Sequence, residues 1–304
     1  MYNEQRKQKY LNTITNNALR KNVFNDFERC AEREASLNKD IADFTKSEVK
    51  DFYTSLKLVS IDTLYVINYR MSGYTKWLRD FDNVFATINN QDLEDCIDGE
   101  TRDTLILTRD KLLEVVAKME PREAFMILAI FEGLGGKQYI DFYELDISAF
   151  RQMNNTYIVN LRSGRDLEIS KELFDYAKRA SEQEFYQNVS ANKRINYEAN
   201  STKVIKGFYN TNVSGYHTDD EAKLIRRNYR NITVRLAQIR TQFNMMALRT
   251  SYLQTSGRIE MMRRMNKLNN TRDASIYVNT PEVVTRFGTV PSEPRWLMSY
   301  RKYL

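Results

Sequence analysis

The chain has 304 residues, 42% apolar, 12% aromatic and 28% charged, with 10 glycines and 4 prolines; this excludes a disordered or fibrous polymer and suggests two globular, mostly helical domains. Its formal net charge of +6 points weakly to an anionic partner. The longest apolar run, residues 124–131, is far short of the roughly 20 a membrane span needs, and the charged N-terminus has no apolar core behind it, so neither a span nor a secretory signal is expected.

In chain order, Thr45-Lys-Ser-Glu48 reads as a capping box, in which hydroxyl and carboxylate each satisfy an orphan amide at a helix start. The helix it opens carries Val49, Phe52, Tyr53 and Leu56 on one face. After Ser60, the helical recurrence of Leu64, Ile67, Met71, Tyr74 and Leu78 predicts a second amphipathic helix, interrupted or bent near Gly73. The polar residues 89–104 read as a linker. Thr108 is an N-cap for a helix with Leu112, Leu113 and Val116. Pro121 suits the first turn of another, which holds Phe125, Ile127, Leu128 and Ile130 and stops at Gly133.

Two β-rich runs, residues 157–161 and 166–169, flank Arg162-Ser-Gly-Arg165 and read as a hairpin, the only strands the pattern predicts. Helical spacing resumes at Lys171 with Leu173, Phe174 and Ala177. The tail, residues 281–304, holds three of the four prolines with Trp296 and Tyr300 and reads as an extended strap ending in a short anchoring helix. The expected domains are residues 1–100 and 101–304.

Charge is concentrated in residues 221–272. Lys223, Arg226, Arg227, Arg230, Arg235, Arg240, Arg249, Arg258, Arg263, Arg264, Lys267 and Arg272 stand there against Glu221 and Glu260, a local excess of +10 that leaves the remainder negative by four. Guanidinium forks match phosphate oxygens bidentately, so an arginine-rich excess suits phosphate contact. The plainer alternative is a set of solvated helix faces. Cys30 and Cys96 lie far apart without paired spacing, which implies buried, inert thiols and neither a disulfide framework nor a metal site. The lone His217 reads as a surface loop residue, and no cofactor is expected.

The order of helical unit, linker, helix, hairpin and basic helices resembles the tyrosine recombinase (phage integrase) family over residues 36–278. Residues 41–78 resemble its helical core-binding domain. Residues 124–147 resemble its first catalytic box, with Gly133-Leu134, Ile140, Phe142 and Asp146-Ile147 in register. There the family's arginine falls on Gly135 and its glutamate on Gln138. The Arg162-to-Arg165 turn resembles the family's Lys-Thr-Gly-Lys turn, with Arg162 at the general-acid lysine. The second box, His-x-Leu-Arg, has two matches, ending at Arg240 and at Arg249, and both lack the histidine. Arg240 stands 37 residues before Tyr277, nearer the family's usual spacing than Arg249 at 28. Tyr277, in Ala-Ser-Ile-Tyr, falls at the nucleophile, although with 19 tyrosines in the chain a structural role serves as well.

The resemblance implies a mainly α fold with a small β-hairpin or sheet, in a two-domain clamp of core-binding and integrase-like catalytic domains. It also implies a double-stranded DNA partner. Phosphoryl transfer needs cationic clamps, a general acid and a positioned nucleophile, and losing one clamp typically costs ~10²-fold or more. Arginine, with its pKa above ~12, is a poor acid at position 162. Gly135, Gln138, Arg162, Arg240 and Tyr277 therefore read as vestigial positions. Arg162, Arg165, Arg226, Arg227, Arg230, Arg235, Arg240, Arg249, Arg258, Arg263 and Arg264 read as DNA contacts. The expectation is a cytoplasmic, nucleoid-associated repressor in a bacterial host, similar to the cleavage-dead lysogeny repressors of SPbeta-like phages. It would act as a monomer on DNA, with any regulatory protein or peptide partner left open. The alternatives are an active recombinase using Arg249, Arg162 and Tyr277, or an accessory factor of one.

Overall fold

The computed structural model describes residues 2–79, 83–134, 139, 141, 145–161, 164–188, 193–197, 201–206 and 221–304; of residues 187, 188, 193 and 221–231 it describes only the backbone. The chain divides into two compact units, Met1–Asp103 with Pro291–Tyr303, and Thr104–Val290 with Leu304. Among the described residues no helix is long and apolar enough to cross a membrane.

The first unit is helical: α1 (Glu4–Thr13), α2 (Asn17–Leu37), α3 (Lys46–Ser55), α4 (Ile61–Leu78), α5 (Asn90–Asp95) and α6 (Gly99–Leu105), the last running across the boundary. Val23, Phe27, Ile41, Val49, Phe52, Tyr53, Leu64, Ile67, Met71 and Tyr74 form its core, so the apolar faces expected for α3 and α4 are the buried ones. The Thr45 capping box is present: Thr45 Oγ1 accepts from the Glu48 amide at 3.3 Å and the Glu48 carboxylate from the Thr45 amide at 2.7 Å. Beneath the core, Lys7 and Glu34 form a fully buried ion pair, and Glu34 also accepts from the Ile41 amide at 2.8 Å. Burial pushes the Cys30 thiol far up, which leaves it unreactive.

Two expectations fail here for identifiable reasons. α4 runs without a break through Gly73, where the missing side chain makes room for Tyr10: a Cβ would lie 3.0 Å from the Tyr10 hydroxyl. Residues 89–104 are no linker but α5 and α6. Their polar residues serve as caps, as in the Asn89–Asp92 capping box, while Leu93 and Cys96 are enough to pin α5 to the core.

The second unit contains α7 (Arg109–Val116), α8 (Pro121–Phe131), β1 (Phe150–Met153), β2 (Thr156–Asn160), β3 (Asp166–Ile169), α9 (Lys171–Glu182), β4 (Phe185–Asn188), β5 (Lys193–Asn196), α10 (Glu221–Gln242), α11 (Thr250–Leu268) and α12 (Pro281–Phe287). Every residue of α8 from Glu123 to Phe131 is buried, as a helix apolar on all sides requires, and it packs against α9 and α11. The expected hairpin is β2–β3, with Val159 opposite Leu167 and Tyr157 opposite Ile169. It is not alone: β1 extends it to a three-stranded antiparallel sheet, and β4–β5 form a second pair. β1 carries no period-two signal in the sequence, since only Phe150 of its four residues is buried.

The short anchoring helix expected at the end of the tail is present, but the strap before it is not extended, since residues 281–287 form α12. After α12, α13 (Glu293–Tyr300) belongs to the first unit, where Arg295 pairs with Asp62 at 2.7 Å and covers the Tyr65 ring at 4.1 Å. Ser299 donates to Glu94 at 3.1 Å, and Lys302 and Tyr303 both bond Asp103. The tail expected in the second domain thus sits on the first, because its cations and hydroxyls meet acids there.

Candidate nucleic-acid interface

The basic helices do not offer their arginines equally. Arg258 on α11 is 6% exposed and donates to the carbonyls of Val278 (3.0 Å), Phe287 (3.0 Å) and Gly288 (2.7 Å). Burial pushes its pKa down to about 10. Arg235 on α10 turns inward as well: it pairs with Glu123 of α8, lies 4.0 Å over the Tyr186 ring, and is pushed down to about 10, mainly by burial. Both were expected to meet phosphate. Both are committed to the interior instead, since a buried guanidinium must satisfy its donors within the fold.

Arg165, at the hairpin, is half-buried and donates to the Thr285 carbonyl at 2.5 Å. The neighbouring Asp141 carboxyl is raised by burial, an effect that Arg165 opposes. Arg264 is exposed and only loosely paired with Glu168 at 3.3 Å, and Arg263 is exposed. Arg240 is half-buried on the last turn of α10. Gly135, Gln138, Arg162 and His217 lie outside the described residues, as do the side chains of Arg226, Arg227 and Arg230.

Arg249 has the most favourable setting. It is exposed and occupies the N-cap of the 19-residue α11, preceded by a 3-10 turn, Met246–Leu248, whose Ala247 and Leu248 anchor it in the core. No side chain caps that first turn, in contrast to α3, α7 and α9, capped by Thr45, Thr108 and Ser170. An exposed guanidinium at an uncapped helix N-terminus combines a full positive charge with the positive end of the helix dipole, a setting that suits an anion. Sequence spacing favours Arg240 over Arg249 as the second-box arginine; the structure adds that Arg249 is exposed at an uncapped helix start while Arg240 is half-buried.

Tyr277 is 8% exposed, in a 3-10 turn, Ala274–Tyr277, against α11. Its hydroxyl accepts from Asn269 Nδ2 at 3.1 Å and lies 3.2 Å from Thr271 Oγ1.

Two family models account for most of the chain. The MrpR N-terminal core-binding domain matches residues 1–80, and the MrpR C-terminal catalytic domain matches residues 106–293. The chain belongs to the MrpR family. A search of curated proteins found no match. The boundary between the units, Asp103 to Thr104, falls in the interval between the two MrpR matches. The architecture is therefore that of a tyrosine-recombinase-like DNA-binding protein, with Arg249 at the start of a principal helix of the MrpR catalytic domain.

Proposed function

We propose that this MrpR-family chain is a sequence-specific binder of double-stranded DNA that acts as a transcriptional repressor, holding a prophage silent, without recombinase activity. The observation that carries the reading is a contrast within one unit: Arg249, at an uncapped helix start suited to an anion, is open to solvent, whereas Tyr277, the residue in the nucleophile's place, is 8% exposed with its hydroxyl hydrogen-bonded to Asn269. The sequence agrees, because Gly135 and Gln138 stand where the recombinase pattern has an arginine and a glutamate. A site without those groups retains phosphate affinity but loses the charge stabilisation that strand cleavage requires. Occupancy is then the only way to act, and it requires specific binding some ~10³ to 10⁷ tighter than non-specific binding.

The test joins crosslinked DNA recovery from cells to transcript profiling after depletion of the protein. Asymmetric sites near promoters and derepression of the adjoining genes are expected. Nicked suicide substrates carrying the recovered site should trap no covalent adduct. Occupied sites with unchanged transcription would make the protein a recombination accessory factor, and a Tyr277-dependent adduct would make it an active recombinase.

A further inference from the structure

We propose that a cavity in the second unit is the docking site for a short amphipathic segment of another protein, one presenting two or three apolar side chains and a single lysine or arginine. The cavity encloses about 480 Å³, within the roughly 300–1,000 Å³ of ordinary ligand pockets. It lies between the C-terminal half of α11, the end of α8, the junction of β3 with α9, and α12. Phe131, Ile169, Met261, Met265 and Phe287 make it largely apolar. Leu268 stands at its edge with 72% of its surface exposed, the most exposed of the large apolar side chains described. Paired methionines on a helix face suit a peptide occupant, because unbranched thioethers repack around whatever side chains enter.

Charge selects the occupant. Three arginines and four glutamates line the cavity, and all but one are already engaged. Arg109 bridges Glu132 at 3.3 Å and Glu172 at 2.9 Å, Arg264 pairs with Glu168, and Arg286 donates to the backbone carbonyls of Glu132 and Glu168. Glu260 is the remaining group, with neither an ion pair nor a hydrogen bond among the described residues. An acidic segment would meet only cations that already face Glu132, Glu168 or Glu172, the loosest being Arg264 with Glu168 at 3.3 Å, whereas a basic one would meet the unpaired Glu260 beside an apolar floor. Such a helix-in-groove contact draws its affinity from the apolar anchors and its orientation from the charge. Met261 is twelve residues along α11 from Arg249, about 18 Å at the helical rise of ~1.5 Å per residue, so a bound segment would leave that arginine clear. The proposal does not depend on the DNA-binding reading; of the arginines expected to contact DNA, Arg264 lines the cavity and Arg249 lies clear of it.

The experiment is a selection of phage-displayed random 12-residue peptides on the full chain without DNA, counter-selected against a Leu268→Asp chain of equal melting temperature. The expected winners carry apolar residues at helical spacing and one lysine or arginine, and bind saturably. Their affinity should fall at least tenfold on Glu260→Gln and be lost on Leu268→Asp. Winners that are acidic, or equally bound by Glu260→Gln, or no enrichment over the Leu268→Asp chain, would overturn the proposal. Because DNA is absent, none of these outcomes bears on the repressor reading.

Discussion

Gly257 of α11 lies directly against the carbonyl of Phe131 at the end of α8: a Cβ there would overlap the Phe131 carbonyl oxygen and carbon. Both are backbone atoms, so neither can swing aside as a side chain would. Gly257→Ala must separate the two helices, and a loss of about 1–3 kcal/mol or more is expected. A melting temperature lowered by several degrees checks it. An unchanged melt would mean that the helices do not meet there.

Arg258 and Arg249 share α11 but should fail in opposite ways. Arg258→Ala removes the donors for three carbonyls in a buried setting, and a cost of about 3 kcal/mol is expected, read from the urea midpoint. Any loss of DNA binding would follow from the loss of folding. Arg249→Ala should stay within about 0.5 kcal/mol of the parent protein. It should flatten the plot of log binding constant against log salt by about 0.9, the value for one phosphate contact. Parallel salt plots for the parent and Arg249→Ala would remove that residue from the interface.

The tail anchor should be sensitive to acid. Hydrogen bonds from Lys302 and Tyr303 hold the Asp103 carboxyl below its usual 3.8. A carboxyl depressed in the folded state stabilises it above the unfolded value, and that contribution disappears as pH falls through the folded one. Amide exchange over residues 293–303 should therefore be slower in the parent protein than in Asp103→Asn at pH 6, and the difference should vanish well below pH 3. A difference that persists there would assign the anchoring to other contacts, such as Arg295 with Asp62.

Much of the architecture was legible beforehand. The Thr45 box, the Thr108 cap, Pro121 in a first turn and the β2–β3 hairpin are all found where the sequence puts them. The misreadings cluster where local polarity conflicts with a few long-range contacts. Residues 89–104 look like a linker until Leu93 and Cys96 are seen in the core, and the tail ends in the expected anchoring helix, held by Asp62, Glu94 and Asp103, but its first part, read as an extended strap, is the helix α12.

By itself the sequence determined the helices, their caps and the position of the basic segment, because capping, periodicity and turn chemistry act within about four residues of chain. Only the tertiary structure decided which arginines remain available. Arg235 finds Glu123 in a helix more than a hundred residues upstream, and Arg258 finds carbonyls on segments 20 to 30 residues downstream. Arg249 is left facing water at the uncapped start of α11. Counting charges cannot separate these cases: each guanidinium carries the same charge, and what differs is the set of distant acceptors that folding brings within reach.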